Sequence, residues 1–281
     1  MTIYIEAVLP YARVTCLDPL FLGYIRPVSF PLGRICEAVI KDPYPGGYSM
    51  IVGKTKGYMS TCETYTQGQG LSCWVSREPI LSQNMDKPLR LQPYPLQCPL
   101  HLYDWQAFIK KHPHHSIEVK DSHLWPYLKT LSLENPLKLN QTMPCPPEVQ
   151  EAWDQVFSPL IPWNKGHLIV EEGLTLTAID VNTAAYEDGG SAVLTSLASI
   201  KAYWHQVIPV VLQILQVRTI SGMILVDLPR LPYKMGMALL NTFEKDLNPL
   251  ELKSLGLTRG GLWEITRTRR VPSLLQQRGA L

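Results

Sequence analysis

The chain has almost no net charge, no long apolar run, no closely spaced cysteine pair and no basic start, and each lack narrows what it can be. Its 26 basic and 24 acidic residues leave only +2 over 281 residues, so overall charge says little about partners. No apolar run approaches the length of a transmembrane helix, so no membrane association is expected. The cysteines (Cys16, Cys36, Cys62, Cys73, Cys98, Cys145) include no Cys-x-x-Cys pair. That argues against a structural zinc site and for thiols in a reducing compartment. The N-terminus has no early lysine or arginine, and Glu6 and Pro10 break its apolar stretch, unlike a secretory leader. These absences predict a soluble, cytoplasmic protein without zinc.

What is present is enough chain, at 281 residues and 46% hydrophobic content, for two or more units with cores of their own. Its most informative stretch runs from Leu168 to Leu228, where two strand-like apolar segments each deliver an aspartate. The first, LIVEEGLTLTAIDVNT, carries Asp180 and Asn182; the second, SGMILVDLPR, carries Asp227. Leu174 to Ile179 and Met223 to Val226 are rich in Leu, Ile, Val and Thr, which predicts strands, the second buried on both faces. An unpaired carboxylate is costly inside such a strand, so both acids are expected at strand ends, facing water, a cation or a ligand. An aspartate after a strand is also a common turn or cap residue. Between the segments, Val193, Leu197, Ile200, Trp204, Val207, Val211 and Leu215 recur at helical spacing. Ser191 is the expected cap, and Pro209 is expected to kink or break this helix. A strand, helix and strand in that order can make a crossover that sets the acids side by side. Two carboxylates so placed repel unless a cation sits between them, and magnesium is the natural candidate.

Elsewhere, Ile3–Val8, Ala12–Leu17 and Phe21–Ile25 read as strands opening a sheet. From Pro31 to about Leu100 short β-prone pieces (GRICEAVI, PGGYSMIVG, KTKGYMST, GLSCWVS) alternate with Gly and Pro. They predict a small barrel of the five-stranded OB type. Tyr48, Tyr58 and Trp74 are candidates for stacking on bases, and Lys54 and Lys56 for meeting phosphates. Glu78 to Leu102 reads as a proline-rich connector. His112 to His115 receives no role. A strand at Ser116–Val119 and helices at Ser122–Leu131, Glu148–Phe157 and Met235–Asp246 follow from spacing, with Val149, Trp153 and Val156 on one face of the second helix. Gly261 to Thr266 is a last strand, and Arg259, Arg267, Arg269, Arg270 and Arg278 crowd the chain after it or beside it.

LTAIDVNT, MILVDLPR and GLTRGGLWEITRTRRVPSL, in this order and at these separations, resemble the catalytic region of the ribonuclease E/G family. The likeness extends upstream through IPWNKGHLIVEEGLTLTAID and more loosely through SIEVKDSHLWPYLKTL. It implies an α+β fold: a ribonuclease-H-like part (residues 1–30 and 101–167), an inserted OB-type barrel with its connector (31–100), and a deoxyribonuclease-I-like catalytic part (168–281). It also implies an endoribonuclease of single-stranded RNA, active in RNA processing or decay. Asp180 and Asp227 would hold catalytic Mg2+, with Mn2+ as a substitute, for metal-assisted hydrolysis. Asn182 would orient the groups around the ion, and Arg267 and Arg269 would approach the RNA backbone.

The likeness has departures. Ala184 and Ala185 replace the glycine or small polar residue that usually follows the first motif, and LPRLP replaces the phenylalanine-rich end of the second. The interval where the family reads the RNA 5′ end is little more than the connector, so 5′-end sensing is not expected. Without the family's Cys-pair linker, neither zinc nor a tetramer is implied. The rival reading is a binding protein of the same descent that holds RNA without cutting it; a third is a phosphohydrolase of small nucleotides. Retention of both aspartates favours the nuclease.

Overall fold

The computed structural model describes residues 2–8, 11–17, 20–25, 35–77, 88–93, 105–120, 122, 124–130, 133–142, 144–163, 166–173, 175–183, 194 and 196–279. The chain has a mixed α+β architecture in two compact units. One comprises Met1–Cys145 with Arg269–Pro272 and Gln276–Leu281; the other comprises Pro146–Thr268 with Ser273–Leu275. No helix among the described residues is long and apolar enough to cross a membrane.

In the first unit, period-two alternation produces the expected opening strands β1 (Thr2–Val8), β2 (Tyr11–Leu17) and β3 (Leu20–Ile25), an antiparallel meander. Five further strands close into a barrel: β4 (Ile35–Tyr44), β5 (Gly47–Val52), β6 (Thr55–Ser60), β7 (Gly70–Arg77) and β8 (Leu89–Pro93), in the order β4-β5-β6-β8-β7. Four of these were legible between the Gly and Pro punctuation. β8 was not: it lies inside the stretch read as connector, where Leu89 and Leu91 alternate with Arg90 and Gln92 between flanking prolines. Both leucines are fully buried among Ala38, Ile40, Met50, Met59 and Val75, which explains why the barrel needs them. Helix α1 (Trp105–Lys111), β9 (Ser116–Val119), α2 (Leu124–Thr130) and β10 (Leu137–Leu139) follow. β9 and β10 extend the meander as parallel strands, giving the sheet order β10-β9-β1-β2-β3. Ile3, Ile5, Val14, Ile117 and Val119 pack with Trp105, Ile109 and Leu128 as a separate core. Among the histidines, His112 and His115 turn their carbonyls to the buried Asn135 amide, at 2.8 and 2.9 Å, which makes this a structural turn.

The second unit opens with α3 (Pro147–Phe157), whose Val149, Trp153 and Val156 are buried as expected. Strands β11 (Leu160–Trp163), β12 (Gly166–Glu172) and β13 (Leu176–Thr183) are antiparallel neighbours. Helix α4 (Leu197–Val217) then crosses over to β14 (Gly222–Asp227), which pairs parallel with β13. The expected cap Ser191 and the apolar Val193 lie outside the described residues; α4 is capped by Ser196, whose hydroxyl accepts from the Ser199 N–H in a reciprocal capping box. Pro209 does not end the helix. It sits on the exposed side, while Val207, Ile208, Val211 and Leu212 around it are buried and hold both halves on the sheet.

The expected single helix Met235–Asp246 is two, α5 (Tyr233–Asn241) and α6 (Glu244–Leu247). Thr242 ends the first by turning its hydroxyl back to the Leu239 carbonyl at 2.6 Å. Strands β15 (Leu252–Leu257) and β16 (Trp263–Arg267) complete the order β11-β12-β13-β14-β16-β15. The short segment Ser273–Leu275 is tied to this unit: the Ser273 hydroxyl donates to Glu172 Oε2 at 2.5 Å, and the Leu274 N–H donates to the Arg218 carbonyl at 2.9 Å. Burial pushes the Glu172 carboxyl up from its ordinary value, against the opposing pull of the Ser273 hydroxyl and the Arg218 charge.

Candidate active site

Why the two acids face outward follows from strand parity. Ile179 and Val181 of β13, with Ile224 and Val226 of β14, point into the core under α4. The intervening residues, Asp180 and Asp227 among them, take the opposite face, and both aspartates are exposed. β14 was expected to be buried on both faces, but Met223 on the open face is 45% exposed. Asp227 ends its strand as expected, whereas Asp180 lies within β13, three residues before its end.

The ladder places Asp180 directly beside Asp227 as Cα partners in the parallel β13–β14 pair. Adjacent strands lie about 4.8 Å apart, within the span of two carboxylates sharing one ion. Asn182 is on the same face two residues on, and its amide donates to Asp180 Oδ2 at 2.8 Å, which fixes the rotation of that carboxylate. The structure therefore brings together all three residues singled out from the first two motifs.

The loop after β14 completes the surroundings. Leu228 is buried, and the Trp204 indole N–H donates to the Pro229 carbonyl at 2.9 Å, tying the loop to α4. A cavity of about 330 Å³ is lined by Asp180, Asn182, Thr183, Leu194, Asp227 and Arg230, among others. Arg230 belongs to the second motif, MILVDLPR, but carries no expected role there. The signal for it was the pair of prolines at 229 and 232, which restrict the loop on either side of a single exposed cation.

Two carboxylates held side by side on an open sheet face are mutually repulsive, and among the described residues no ion pair neutralises either one. The donor set suits a hard divalent cation, which takes one or two carboxylates and leaves its other positions to water and phosphate oxygens. No cluster of three or more His, Cys, Asp or Glu side chains with metal-holding geometry occurs among the described residues.

The remaining predicted residues divide. On the barrel, Tyr58 and Lys56 share the outward side of β6, alternating with the buried Gly57 and Met59; Lys54 is exposed in the turn that starts the strand. The Tyr58 ring packs on Tyr44 with centroids 4.1 Å apart. Arg90, missed in the sequence because β8 was missed, is the ladder partner of Tyr58 and donates to the Ser60 hydroxyl at 2.9 Å. Trp74 alternates with the barrel-core residues Cys73 and Val75 and so lies on the other side of β7, but at 5% exposed it offers no open stacking surface. Tyr48 is half-buried, its hydroxyl accepting from the Tyr65 N–H at 3.0 Å.

Arg267, expected to approach RNA, is a correction. Its strand parity matches Trp263 and Ile265, so it points inward; it is 4% exposed and donates to the Leu215 and Ile220 carbonyls at 3.2 and 3.0 Å. Burial lowers its pKa to about 9. Its place is structural, joining β16 to the end of α4. Arg267→Met should therefore lower stability by about 2 kcal/mol, through loss of the charged donor to both carbonyls, of which Leu215 keeps only the Ile220 N–H. Urea unfolding checks this, with RNA affinity per folded molecule expected to stay unchanged. Arg269 is half-buried and belongs to the first unit.

An open-face pair of aspartates at the end of a strand-helix-strand crossover, beside a rotation-fixing asparagine, is a donor set of the kind that suits a divalent cation. The family model for the ribonuclease E/G family matches residues 139–270, a stretch holding both aspartate strands and β16. Over that stretch, which is less than half of the 281-residue chain, the sequence is similar to the ribonuclease E/G family. A comparison with curated proteins gives no match.

Proposed function

We propose that the protein is a metal-dependent endoribonuclease that hydrolyses single-stranded RNA, in RNA processing or decay in the cytoplasm. The observation that carries this reading is the register that pairs Asp180 with Asp227 on an open sheet face. Asp180 and Asp227 hold Mg2+, or Mn2+ in its place, and Asn182 keeps the Asp180 carboxylate turned toward the ion. When bound, the cation supplies Lewis-acid chemistry: it makes water nucleophilic near neutral pH and offsets charge building on the scissile phosphate.

The other residues act on the strand. Lys54, Lys56 and Tyr58 hold the RNA on the barrel, the lysines through phosphates and the tyrosine by stacking, and Arg269 adds a backbone contact. The meander sheet with the barrel inserted after β3 serves as the ribonuclease-H-like part. Residues 168–281 serve as the deoxyribonuclease-I-like catalytic part.

The test is incubation of purified protein with an internally labelled, unstructured RNA in Mg2+, in Mn2+ and in EDTA, with product ends mapped. Internal cuts that need a divalent cation are expected. Binding without cutting in either metal would establish a non-catalytic RNA-binding protein instead. Turnover of mononucleotides at the same rate as RNA would establish a small-molecule phosphohydrolase.

A further inference from the structure

The carboxylate pair can grip only a cation, so an RNA phosphate at this site has one side facing the ion and another facing the protein. The cavity supplies a group for that second side. Arg230 lines it together with Asp180 and Asp227, is exposed, and makes no ion pair with either aspartate among the described residues. Its loop is held from three directions. Leu228 before it is buried, Leu231 after it packs against the core, and the Trp204 indole bonds the Pro229 carbonyl at 2.9 Å. Pro229 and Pro232 limit the backbone on both sides, Pro232 having φ −53° as it begins α5. A guanidinium on such a loop loses little freedom on capturing an oxyanion, and its planar fork of donors matches two phosphate oxygens.

Building on the nuclease reading above, we infer that Arg230 is the phosphate-holding residue of this site: it binds non-bridging oxygens of the RNA backbone beside the carboxylates. The inference deepens the function by giving the site a phosphate contact independent of the metal. Arg267 cannot serve, because it is buried against backbone carbonyls. The alternative role for Arg230 is an internal counter-charge that quiets the repulsion between Asp180 and Asp227. The two roles differ in what they do to RNA binding without metal and to metal binding without RNA.

The test uses the full chain and its variants Arg230→Ala and Arg230→Lys. Fluorescence anisotropy of a labelled single-stranded RNA is followed in EDTA across a KCl series. Separately, Mn2+ alone is titrated and its free ion followed by electron paramagnetic resonance. If Arg230 holds a phosphate, Arg230→Ala weakens RNA binding about 5-fold to 10-fold at moderate salt. It also reduces the slope of log affinity against log salt by about 0.7, the value for one neutralised phosphate on a single strand. Arg230→Lys keeps the slope, since the charge remains, but cuts more slowly than wild type because the fork is lost. Mn2+ affinity changes little in either variant.

An unchanged salt slope in Arg230→Ala overturns the inference, as does a wild type that binds no RNA. An unchanged slope with tighter Mn2+ binding assigns the arginine to counter-charge. A wild type that never cleaves, but shows the slope change, sinks the nuclease reading and leaves the phosphate contact standing. Unfolding temperatures of both variants should match wild type, since an exposed loop side chain bears little of the fold.

Discussion

Asp180→Asn and Asp227→Asn should each lower RNA cleavage by about 100-fold to 1,000-fold, on the basis that several kcal/mol of charge stabilisation leave with the metal. The substitution keeps shape and removes one charge, so it tests ligation rather than packing. RNA binding in EDTA should hold or strengthen slightly, because a negative group has been removed from a phosphate-facing site. Fold stability gives a readout that needs no catalysis. Without metal, each variant should unfold at the same temperature as wild type or slightly above it, since two carboxylates on neighbouring strands repel. With millimolar Mg2+, wild type should gain stability by mass action while the variants gain less. Full cleavage in either variant would move the site elsewhere. Full retention of the Mg2+ shift in both would separate metal binding from this pair even if cleavage were lost.

The carboxylate pair was legible in the sequence for a reason that does not depend on family likeness. Apolar alternation fixes which side of a strand is buried, and Ile179, Val181, Ile224 and Val226 leave Asp180 and Asp227 no face but the open one. The crossover helix then makes β13 and β14 parallel neighbours. Parity also explains the error at Arg267. Read as a basic run, TRTR looks solvated; read at period two from Trp263 and Ile265, its first arginine belongs inside. Motif likeness suggested a role, and local geometry withdrew it.

The errors elsewhere share one origin, which is that local signals weigh single residues while packing acts on faces. Pro209 was expected to kink or break α4; the helix runs on through it, because its buried flank outweighs one missing hydrogen bond. The proline-rich composition around Leu89–Pro93 hid a strand whose leucines fill the barrel. Missing that strand hid Arg90 as well, the residue beside Tyr58 on the face proposed for RNA.

The barrel depends on Gly47 more than on any side chain proposed to touch RNA. A Cβ placed there would lie 1.9 Å from the Met59 carbonyl oxygen, and 3.0 Å from the carbon of that group and from the Ser60 Cα. Gly47 opens β5 as the ladder partner of both Tyr44 and Ser60, so the strands can close only because one residue has no side chain. The clash is with backbone, which cannot rotate away as a flexible side chain would. Gly47→Ala should therefore cost about 3 kcal/mol, the upper part of the range for overpacking. Gly70→Ala is the control: it sits in another strand of the same barrel with open space where its Cβ would go, and should change stability by no more than about 0.5 kcal/mol. Chemical denaturation of both variants decides it, with the barrel's transition followed by Trp74 fluorescence. Equal midpoints would show that β5 and β6 do not approach as closely as this register requires. If the barrel supplies the grip on RNA, Gly47→Ala should also weaken RNA binding in EDTA at temperatures where Gly70→Ala does not. The aspartate variants should do the reverse, losing cleavage while binding persists, so the two substitutions together separate holding the strand from cutting it.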